Sequence, residues 1–340
     1  MSHESYMQRA LQLATLGMGK VAPNPMVGCV IVYENKIIGE GWHKAYGQAH
    51  AEVNAIDSVI DQSILPQSTF YVTLEPCSHY GKTPPCADLL VSKKVGKVVI
   101  ACTDSNPLVA GKGIRKLQEV GISVELGILE KEARRLNKRF FTFMEKKRPY
   151  IVLKWAQTED GFIARKDYSS RWISNEHSRT LVHQWRSQEQ AVMVGTRTAL
   201  YDNPQLNVRQ WTGKNPIRIF IDKNLQIPTN YHLFDRSQPT ICYNLYKNET
   251  LENLIFVKLD TDFFLENLLQ DLYERKVQSV LVEGGSLLLE SFIEKNLWDE
   301  ARVFVGNTCF GEGIKAPKML FLPQKQQEIF GDKLLYYENF

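Results

Sequence analysis

The chain has 340 residues, a length at which one hydrophobic core usually gives way to two domains. Apolar residues make up 44% and charged residues 23%, which is ordinary for a folded soluble protein. The formal net charge of +3 excludes a histone-like protein that coats a polyanion, but it is compatible with a small anionic substrate.

Strand and helix patterns alternate along the first half of the chain. Apolar runs predict strands at residues 27–33, 37–42, 69–74 and 98–102. The helical spacing of apolar residues predicts helices at 7–16, 49–60, 86–92 and 113–120. This alternation predicts an open α/β sheet that is covered by helices on both faces.

Residues 131–148 are rich in Lys and Arg, with Phe140, Phe141 and Phe143 interleaved. Basic residues beside aromatic ones can mark a nucleic-acid surface, but that surface usually belongs to a strongly basic domain. We therefore expect a terminal helix that packs its aromatic side chains inward, and no nucleic-acid partner.

The second half of the chain also reads as α/β. Strands are predicted at residues 150–155, 191–194, 217–221, 240–243 and 280–282, and helices at 176–187, 263–275 and 286–295. Apolar runs at 300–305 and 334–337 are interpreted as antiparallel edge strands. The two halves join near Pro149, which predicts domains at 1–148 and 149–340.

Six cysteines spread over this length do not form the disulfide framework of a small secreted protein. The first residues show no basic segment followed by an apolar run, and the longest apolar runs are far shorter than a membrane span. We therefore expect a cytoplasmic protein without a membrane segment, whose paired cysteines hold a metal. We also expect a homo-oligomer.

Three residues with the chemistry of zinc ligands lie at the ends of predicted elements. His50 stands at the start of a helix, Cys77 follows a strand, and Cys86 opens the next helix. One imidazole and two thiolates provide the three protein ligands of a catalytic zinc site, whose fourth position is left for water. Zinc lowers the pKa of that water to near neutrality.

A zinc deaminase also needs a carboxylate that is not a ligand, because protons must reach the ring nitrogen and the leaving ammonia. Glu52, two residues after His50, is placed for this role. A His-x-Glu pair or a single cysteine in a loop often occurs by chance, but His50, Glu52, Cys77 and Cys86 in this order predict a zinc-dependent deaminase. The usual pattern has two residues between its cysteines, whereas eight separate Cys77 from Cys86 here.

The longer loop, CSHYGKTPPC at 77–86, resembles the deaminase half of the bifunctional riboflavin-biosynthesis deaminase/reductase family. The segments APNPMVG at 22–28 and GWH at 41–43 belong to the same resemblance. It implies a cytidine-deaminase-like α/β/α domain that removes the 2-amino group of a 2,5-diamino-6-(phosphoribosylamino)pyrimidinone. It also implies that four residues line the substrate pocket: Asn24, His43, His79 and Lys82.

The second half has no Gly-x-Gly-x-x-Gly motif, so a standard Rossmann nucleotide site is not expected. A strand instead runs into the glycine pair of EGG at 283–285, where a pyrophosphate could approach the backbone. The segments KWAQ at 154–157, SRWI at 170–173, GTRT at 195–198 and DNP at 202–204 resemble the reductase domain of the same family. The resemblance implies a dihydrofolate-reductase-like α/β fold and NADPH-dependent reduction of the ribosyl group to a ribityl chain.

The same resemblance assigns residues to two sets. The substrate would be bound by Lys154, Ser170, Arg186, Leu206, Arg209 and Glu283. NADPH would be bound by Gln157, Trp172, Thr198, Asp202, Gly285 and Ser286. The two arginines suit the 5′-phosphate, since a guanidinium binds phosphate through two hydrogen bonds. Lys223 is a weaker candidate for contact with the 2′-phosphate of the cofactor.

Two alternatives remain open from the residues. The chain could be a nucleoside or tRNA-base deaminase with an accessory C-terminal domain, which the longer cysteine loop and the reductase motifs disfavour. The metal site could also be structural, but structural zinc usually has four protein ligands and no fourth stands beside these three.

Overall fold

The computed structural model describes residues 2–80, 84–107, 109–168 and 173–339. The chain divides into two compact units, Met1–Lys147 and Arg148–Phe340. Within the described residues, every helix is too short or too polar to cross a membrane.

The first unit is built on one mixed sheet. Its strands are β1 (Gly28–Tyr33), β2 (Lys36–Trp42), β3 (Thr69–Val72), β4 (Lys97–Ile100) and β5 (Ser123–Leu126), and its helices are α1 (His3–Thr15), α2 (Ala51–Asp57), α3 (Cys86–Ser92), α4 (Lys112–Glu119), α5 (Glu130–Leu136) and α6 (Lys138–Lys146). The described strands lie in the order β2-β1-β3-β4-β5. β1 pairs antiparallel with β2 and β3, whereas β3, β4 and β5 are parallel.

Alternate side chains of the strands fill two cores. Cys29, Ile31 and Phe70 pack with α2, α3 and α4, whereas Val30, Tyr71 and Val99 pack with α1, α5 and α6. Side chains alternate between the faces of a strand, so both faces of this sheet are covered. The predicted arrangement of the first half is therefore confirmed.

The basic stretch forms two helices rather than the single helix predicted. They meet at Asn137, whose buried side chain exchanges two hydrogen bonds of 2.8 Å with the backbone of Met26. Phe140 and Phe141 are each 4% exposed and belong to the core. The aromatic residues point inward, as the sequence predicted.

The second unit contains a long, mostly parallel sheet. Its strands are β6 (Tyr150–Thr158), β7 (Phe162–Ala164), β8 (Ala191–Val194), β9 (Ile217–Ile221), β10 (Thr240–Asn244), β11 (Glu249–Leu251), β12 (Leu254–Lys258), β13 (Ser279–Val282), β14 (Glu300–Gly306), β15 (Ile314–Lys315), β16 (Lys325–Ile329) and β17 (Asp332–Glu338), and its helices are α7 (Glu176–Gln188), α8 (Thr196–Asp202), α9 (Phe264–Glu274) and α10 (Ser286–Glu294). The sheet order among the described residues is β11-β12-β10-β9-β8-β13-β6-β14-β17-β16, and β7 pairs with β15 outside it.

One prediction for this unit is wrong. The runs at 300–305 and 334–337 were expected to be edge strands, but β14 lies between β6 and β17, and β17 lies between β14 and β16. β14 is also parallel to β6. The edge strand beside β17 is β16, whose polar sequence KQQEI gave no strand signal. Polar, charged residues are common on edge strands because they discourage pairing with another chain.

Candidate active sites

The first site forms where β3 ends and where α2 and α3 begin. His50 is the N-cap residue of α2, and Cys86 is the first residue of α3. The helix α2 can lie close to β2 because position 41 is glycine: a Cβ there would be 2.3 Å from the backbone nitrogen of Ala55. The local sequence thus brings His50 and Glu52 to the end of the sheet.

The three predicted zinc ligands lie together. The Nδ1 atom of His50 is 3.6 Å from the Sγ of Cys77 and 3.3 Å from the Sγ of Cys86, and all three ligand atoms lie within 4.8 Å of one another. Tetrahedral zinc with ordinary bond lengths separates a nitrogen and a sulfur ligand by about 3.6 Å. These donors therefore fit zinc in kind, number and spacing.

The two thiols differ in their ionisation. Hydrogen bonds from the Cys86 thiol, His50 and the Cys86 backbone lower the pKa of Cys77 to about 4, against the opposing effect of burial. The hydrogen bond with Cys77 and burial raise the pKa of Cys86. The proton that the two thiols share therefore favours Cys86, and zinc binding would remove it, since a thiolate is the form that binds metal.

His50, Cys77 and Cys86 are together called the metal group. Glu52 lies beside it in the first turn of α2, and its side chain is buried at 3% exposure. Burial and the nearby Cys77 raise its pKa, while His50 and a hydrogen bond with Cys86 oppose the rise. A buried carboxyl group beside the ligands can take up and release protons, which is what the predicted role requires.

Asn24 and His43 are joined in the same part of the unit. The Asn24 amide donates to Nε2 of His43 at 3.2 Å, and Nδ1 of His43 donates to the carbonyl of Ala49 at 3.1 Å. The rings of His43 and His50 are 5.2 Å apart, edge to face. Nδ1 of His79 is buried without a hydrogen-bond partner among the described residues. Lys82 lies outside the described residues.

Glu75 was not singled out from the sequence, although it supports this site. Its buried carboxylate accepts backbone hydrogen bonds from Asp104 at 3.3 Å, Gly111 at 2.9 Å, Gly113 at 2.9 Å and Ile114 at 3.3 Å. It therefore ties the start of α4 to the segment that enters Cys77. The sequence signal for Glu75 was its position, an acidic residue shortly after a buried strand.

The second site lies at the end of β13, on the face of the sheet that α7 covers. Glu283 follows β13 and receives two hydrogen bonds from Arg186, of 2.5 Å from Nε and 2.7 Å from Nη2. Burial tends to raise the pKa of Glu283, but Arg186 and Lys154 outweigh it and the pKa is lowered. Burial lowers the pKa of Lys154. Three predicted substrate residues thus form one buried charged cluster.

Two further predicted residues lie beside this cluster. Leu206 is 2% exposed and has a φ of +50°, which is unusual for leucine. Burial lowers the pKa of Arg209, and the nearby positive charge of Arg186 lowers it further. His183, for which the sequence gave no signal, contacts the backbone of Asn207 and of Arg209 through its Nδ1 atom. Ser170 lies outside the described residues.

The glycine pair fits a nucleotide phosphate. Gly284 and Gly285 have φ values of +144° and +54°, and a Cβ on either would lie 3.3–3.4 Å from Oγ1 of Thr198. This narrow space beside bare backbone is the kind of surface that a pyrophosphate can approach. Thr198 and Gly285, both predicted to bind NADPH, are therefore brought together.

The structure places the remaining described residues that were predicted to contact NADPH on several elements of the second unit. Gln157 accepts a 2.9 Å hydrogen bond from Nε1 of Trp155, and the hydroxyl of Ser286 donates to Glu290 at 3.0 Å. Asp202 is the last residue of α8. Nζ of Lys223 lies 4.6 Å from the ring centre of Phe264. Trp172 lies outside the described residues.

Comparison with known families assigns both halves of the chain. The cytidine and deoxycytidylate deaminase zinc-binding region matches residues 1–102, and the RibD C-terminal domain matches residues 149–329. The first match contains His50, Cys77 and Cys86. The second contains the charged cluster and the glycine pair, which disfavours an unrelated accessory domain.

Relatives match along nearly the whole chain. The riboflavin biosynthesis protein RibD of Aquifex aeolicus is 42% identical over 317 residues, covering 92% of this chain and 88% of that protein. The structure of a diaminohydroxyphosphoribosylaminopyrimidine deaminase/5-amino-6-(5-phosphoribosylamino)uracil reductase from Thermotoga maritima is 36% identical, with a TM-score of 0.88 and coverage of 99% and 98%. Acinetobacter baumannii RibD is 36% identical, with a TM-score of 0.90 and coverage of 98% of each chain.

These matches confirm the predicted fold class, a cytidine-deaminase-like domain followed by a dihydrofolate-reductase-like domain. They also confirm an enzyme with two activities and the cofactors zinc and NADPH. The chain therefore belongs to the RibD family of bifunctional deaminase/reductases of riboflavin biosynthesis.

Proposed function

We propose that the chain catalyses two consecutive steps on one phosphorylated pyrimidine. It deaminates 2,5-diamino-6-(5-phosphoribosylamino)pyrimidin-4(3H)-one and then reduces the ribosyl group of the product, 5-amino-6-(5-phosphoribosylamino)uracil, to the ribityl chain. The observation that carries this proposal is the group of His50, Cys77 and Cys86 with buried Glu52 beside it. The name of the Thermotoga maritima relative describes the same pair of activities.

Glu52 is the proton carrier of the deamination. Zinc held by His50, Cys77 and Cys86 supplies the Lewis acidity that makes water a nucleophile at neutral pH. Glu52 takes a proton from the attacking water and passes it to the ring nitrogen. It then moves the remaining proton of the added hydroxyl to the amino group, which leaves as ammonia while the carbon keeps the oxygen as a carbonyl. The ring is held by Asn24, His43, His79 and Lys82.

The residues of the second unit position the sugar phosphate for reduction. NADPH supplies the hydride, so the protein needs no nucleophile of its own and has to orient the substrate and exclude water. The ionised pair of Glu283 and Arg186 is rigid because two parallel hydrogen bonds join it. Arg209, at the exposed side of the cluster, meets the 5′-phosphate. The substrate residues are Lys154, Ser170, Arg186, Leu206, Arg209 and Glu283, and the NADPH residues are Gln157, Trp172, Thr198, Asp202, Gly285 and Ser286.

The deaminase domain that we propose comprises residues 1–148 and the reductase domain residues 149–340. We place the enzyme in the cytoplasm, since its six cysteines are free. Exposed Leu320 and Leu322, at 81% and 85%, favour a homo-oligomer. The buried Phe140 and Phe141 support the absence of a nucleic-acid partner.

Product analysis tests the proposed reactions. Purified enzyme is incubated with the diaminopyrimidinone phosphate, and the products are identified with and without NADPH. Without NADPH, we expect one ammonia per substrate and the ribosyl-bearing uracil; with NADPH, we expect the ribityl product. Deamination of a nucleoside or a tRNA base, with no reaction of this pyrimidine, would instead support the alternative enzyme.

A further inference from the structure

Two side chains of α7 converge on one backbone carbonyl. Nδ1 of His183 lies 3.1 Å from the carbonyl oxygen of Asn207, and Nη1 of Arg186 donates to the same oxygen at 3.0 Å. The two side chains stand three residues apart on the helix, so they face the same segment. Nδ1 of His183 also lies 3.4 Å from the backbone nitrogen of Arg209, whose N–H can donate to it. The peptide after Asn207 is therefore fixed to α7 at this point.

The fixed peptide carries the residues that face the charged cluster. The side-chain oxygen of Asn207 accepts a 3.0 Å hydrogen bond from Nη1 of Arg209. Leu206, just before it, is buried with a φ of +50°. A leucine keeps such a strained backbone only where its surroundings hold it. Asn207 thus links α7, through its carbonyl, to the guanidinium of Arg209, through its side chain.

The ring of His183 has the charge state that this contact needs. The residue is 4% exposed, and burial lowers its pKa to about 4, helped by Arg186 and Arg209 and opposed by Glu283. The ring is therefore neutral at neutral pH and adds no third positive charge. Nδ1 lies 3.1 Å from the carbonyl oxygen of Asn207 and 3.4 Å from the backbone nitrogen of Arg209. In a neutral ring it either donates to Asn207 or accepts from Arg209, and both contacts hold the same segment.

We propose that His183 is a positioning residue of the reductase, which holds the Asn207 peptide so that Arg209 is aimed at the substrate phosphate. This inference rests on the proposed function, in which Arg209 binds that phosphate. Loss of the contact should impair recognition of the phosphate and leave the rest of the substrate bound as before.

The test measures NADPH oxidation by full-length enzyme on the deaminated pyrimidine, with and without its 5′-phosphate. His183→Ala should raise KM for the phosphorylated substrate by about tenfold, as expected for one lost hydrogen bond. KM for the dephosphorylated substrate and kcat should change much less. His183→Asn, whose amide nitrogen can occupy the position of Nδ1, should restore KM, whereas His183→Gln, whose amide reaches the position of Nε2, should not.

Two variants make the result decisive. His177→Ala removes an exposed histidine of the same helix that stacks on Phe330, and it should behave as wild type. Arg209→Ala tests the proposed function itself and should raise KM only for the phosphorylated substrate. Suppose that Arg209→Ala raises KM only for the phosphorylated substrate. The inference about His183 is then wrong, and the proposed function stands, if His183→Ala raises both KM values equally or if His183→Gln restores KM as well as His183→Asn does. If Arg209→Ala does not discriminate, the phosphate assignment fails and the inference fails with it.

Discussion

Replacing Glu52 by Gln should abolish most of the ammonia release while leaving the zinc and the fold in place. Gln has nearly the same shape as Glu, and it fits a buried position that is 3% exposed without placing a charge there. It cannot take up the proton of the attacking water. One general acid–base contributes roughly 10²–10⁴-fold, and Glu52 serves more than one transfer, so we expect a loss at or above the upper end.

Ammonia release and zinc content are measured on the same preparation of this variant. Glu52→Asp is the matched variant, because it keeps a carboxylate but shortens the side chain by one methylene, and it should retain partial activity. Ammonia release at the wild-type rate by Glu52→Gln would show that another residue carries the protons.

Replacing Cys77 by Ala should remove most of the zinc and with it the deamination. Cys77 is one of the two cysteines of the metal group, and its Sγ is 3.6 Å from Nδ1 of His50. Residues that only support zinc ligands cost 10–100-fold in affinity or activity when they are changed, and a lost ligand should cost more. Elemental analysis after dialysis should find far less than one zinc per chain.

Cys102→Ala is the control for this experiment. Cys102 is a buried cysteine of the same unit at 2% exposure, but its Sγ donates to the carbonyl of Thr73 at 3.5 Å and is not part of the metal group. This variant should keep its zinc. Because both cysteines lie in the first unit, circular dichroism and thermal unfolding of each variant report whether that unit is folded. Full zinc content in folded Cys77→Ala would refute the ligand assignment.

Much of the fold could be predicted because its central strands are continuous apolar runs. The predicted bounds of β8, β9 and α3 agree with the structure, since each is a short apolar or amphipathic segment between clear breaks. β16 was not predicted because its burial is slight and its residues are polar. The break at Asn137 was also not predicted, since it depends on hydrogen bonds to a residue 111 positions away.

The metal group could be predicted because its chemistry is local. His50 and Glu52 are two residues apart, and Cys77 and Cys86 belong to one recognisable loop. Glu75 left only one local signal, its position shortly after a buried strand, and His183 left none, because the partners of both are backbone groups of distant segments. Any residue type offers a backbone N–H or carbonyl, so such partners leave little trace in a sequence.

The rate of NADPH oxidation by Glu52→Gln on two substrates tests the central claim, that one chain carries two independent sites which act in order. On the already deaminated pyrimidine, the variant should oxidise NADPH as fast as wild type, because every proposed reductase residue lies after Pro149. On the diamino substrate it should oxidise almost none, since an amino group in place of the carbonyl would leave buried polar groups unpaired. If Glu52→Gln oxidises NADPH on the diamino substrate as fast as the wild-type enzyme does, the proposed order of the steps is wrong. If the folded variant is inactive on the deaminated pyrimidine, the two sites are not independent.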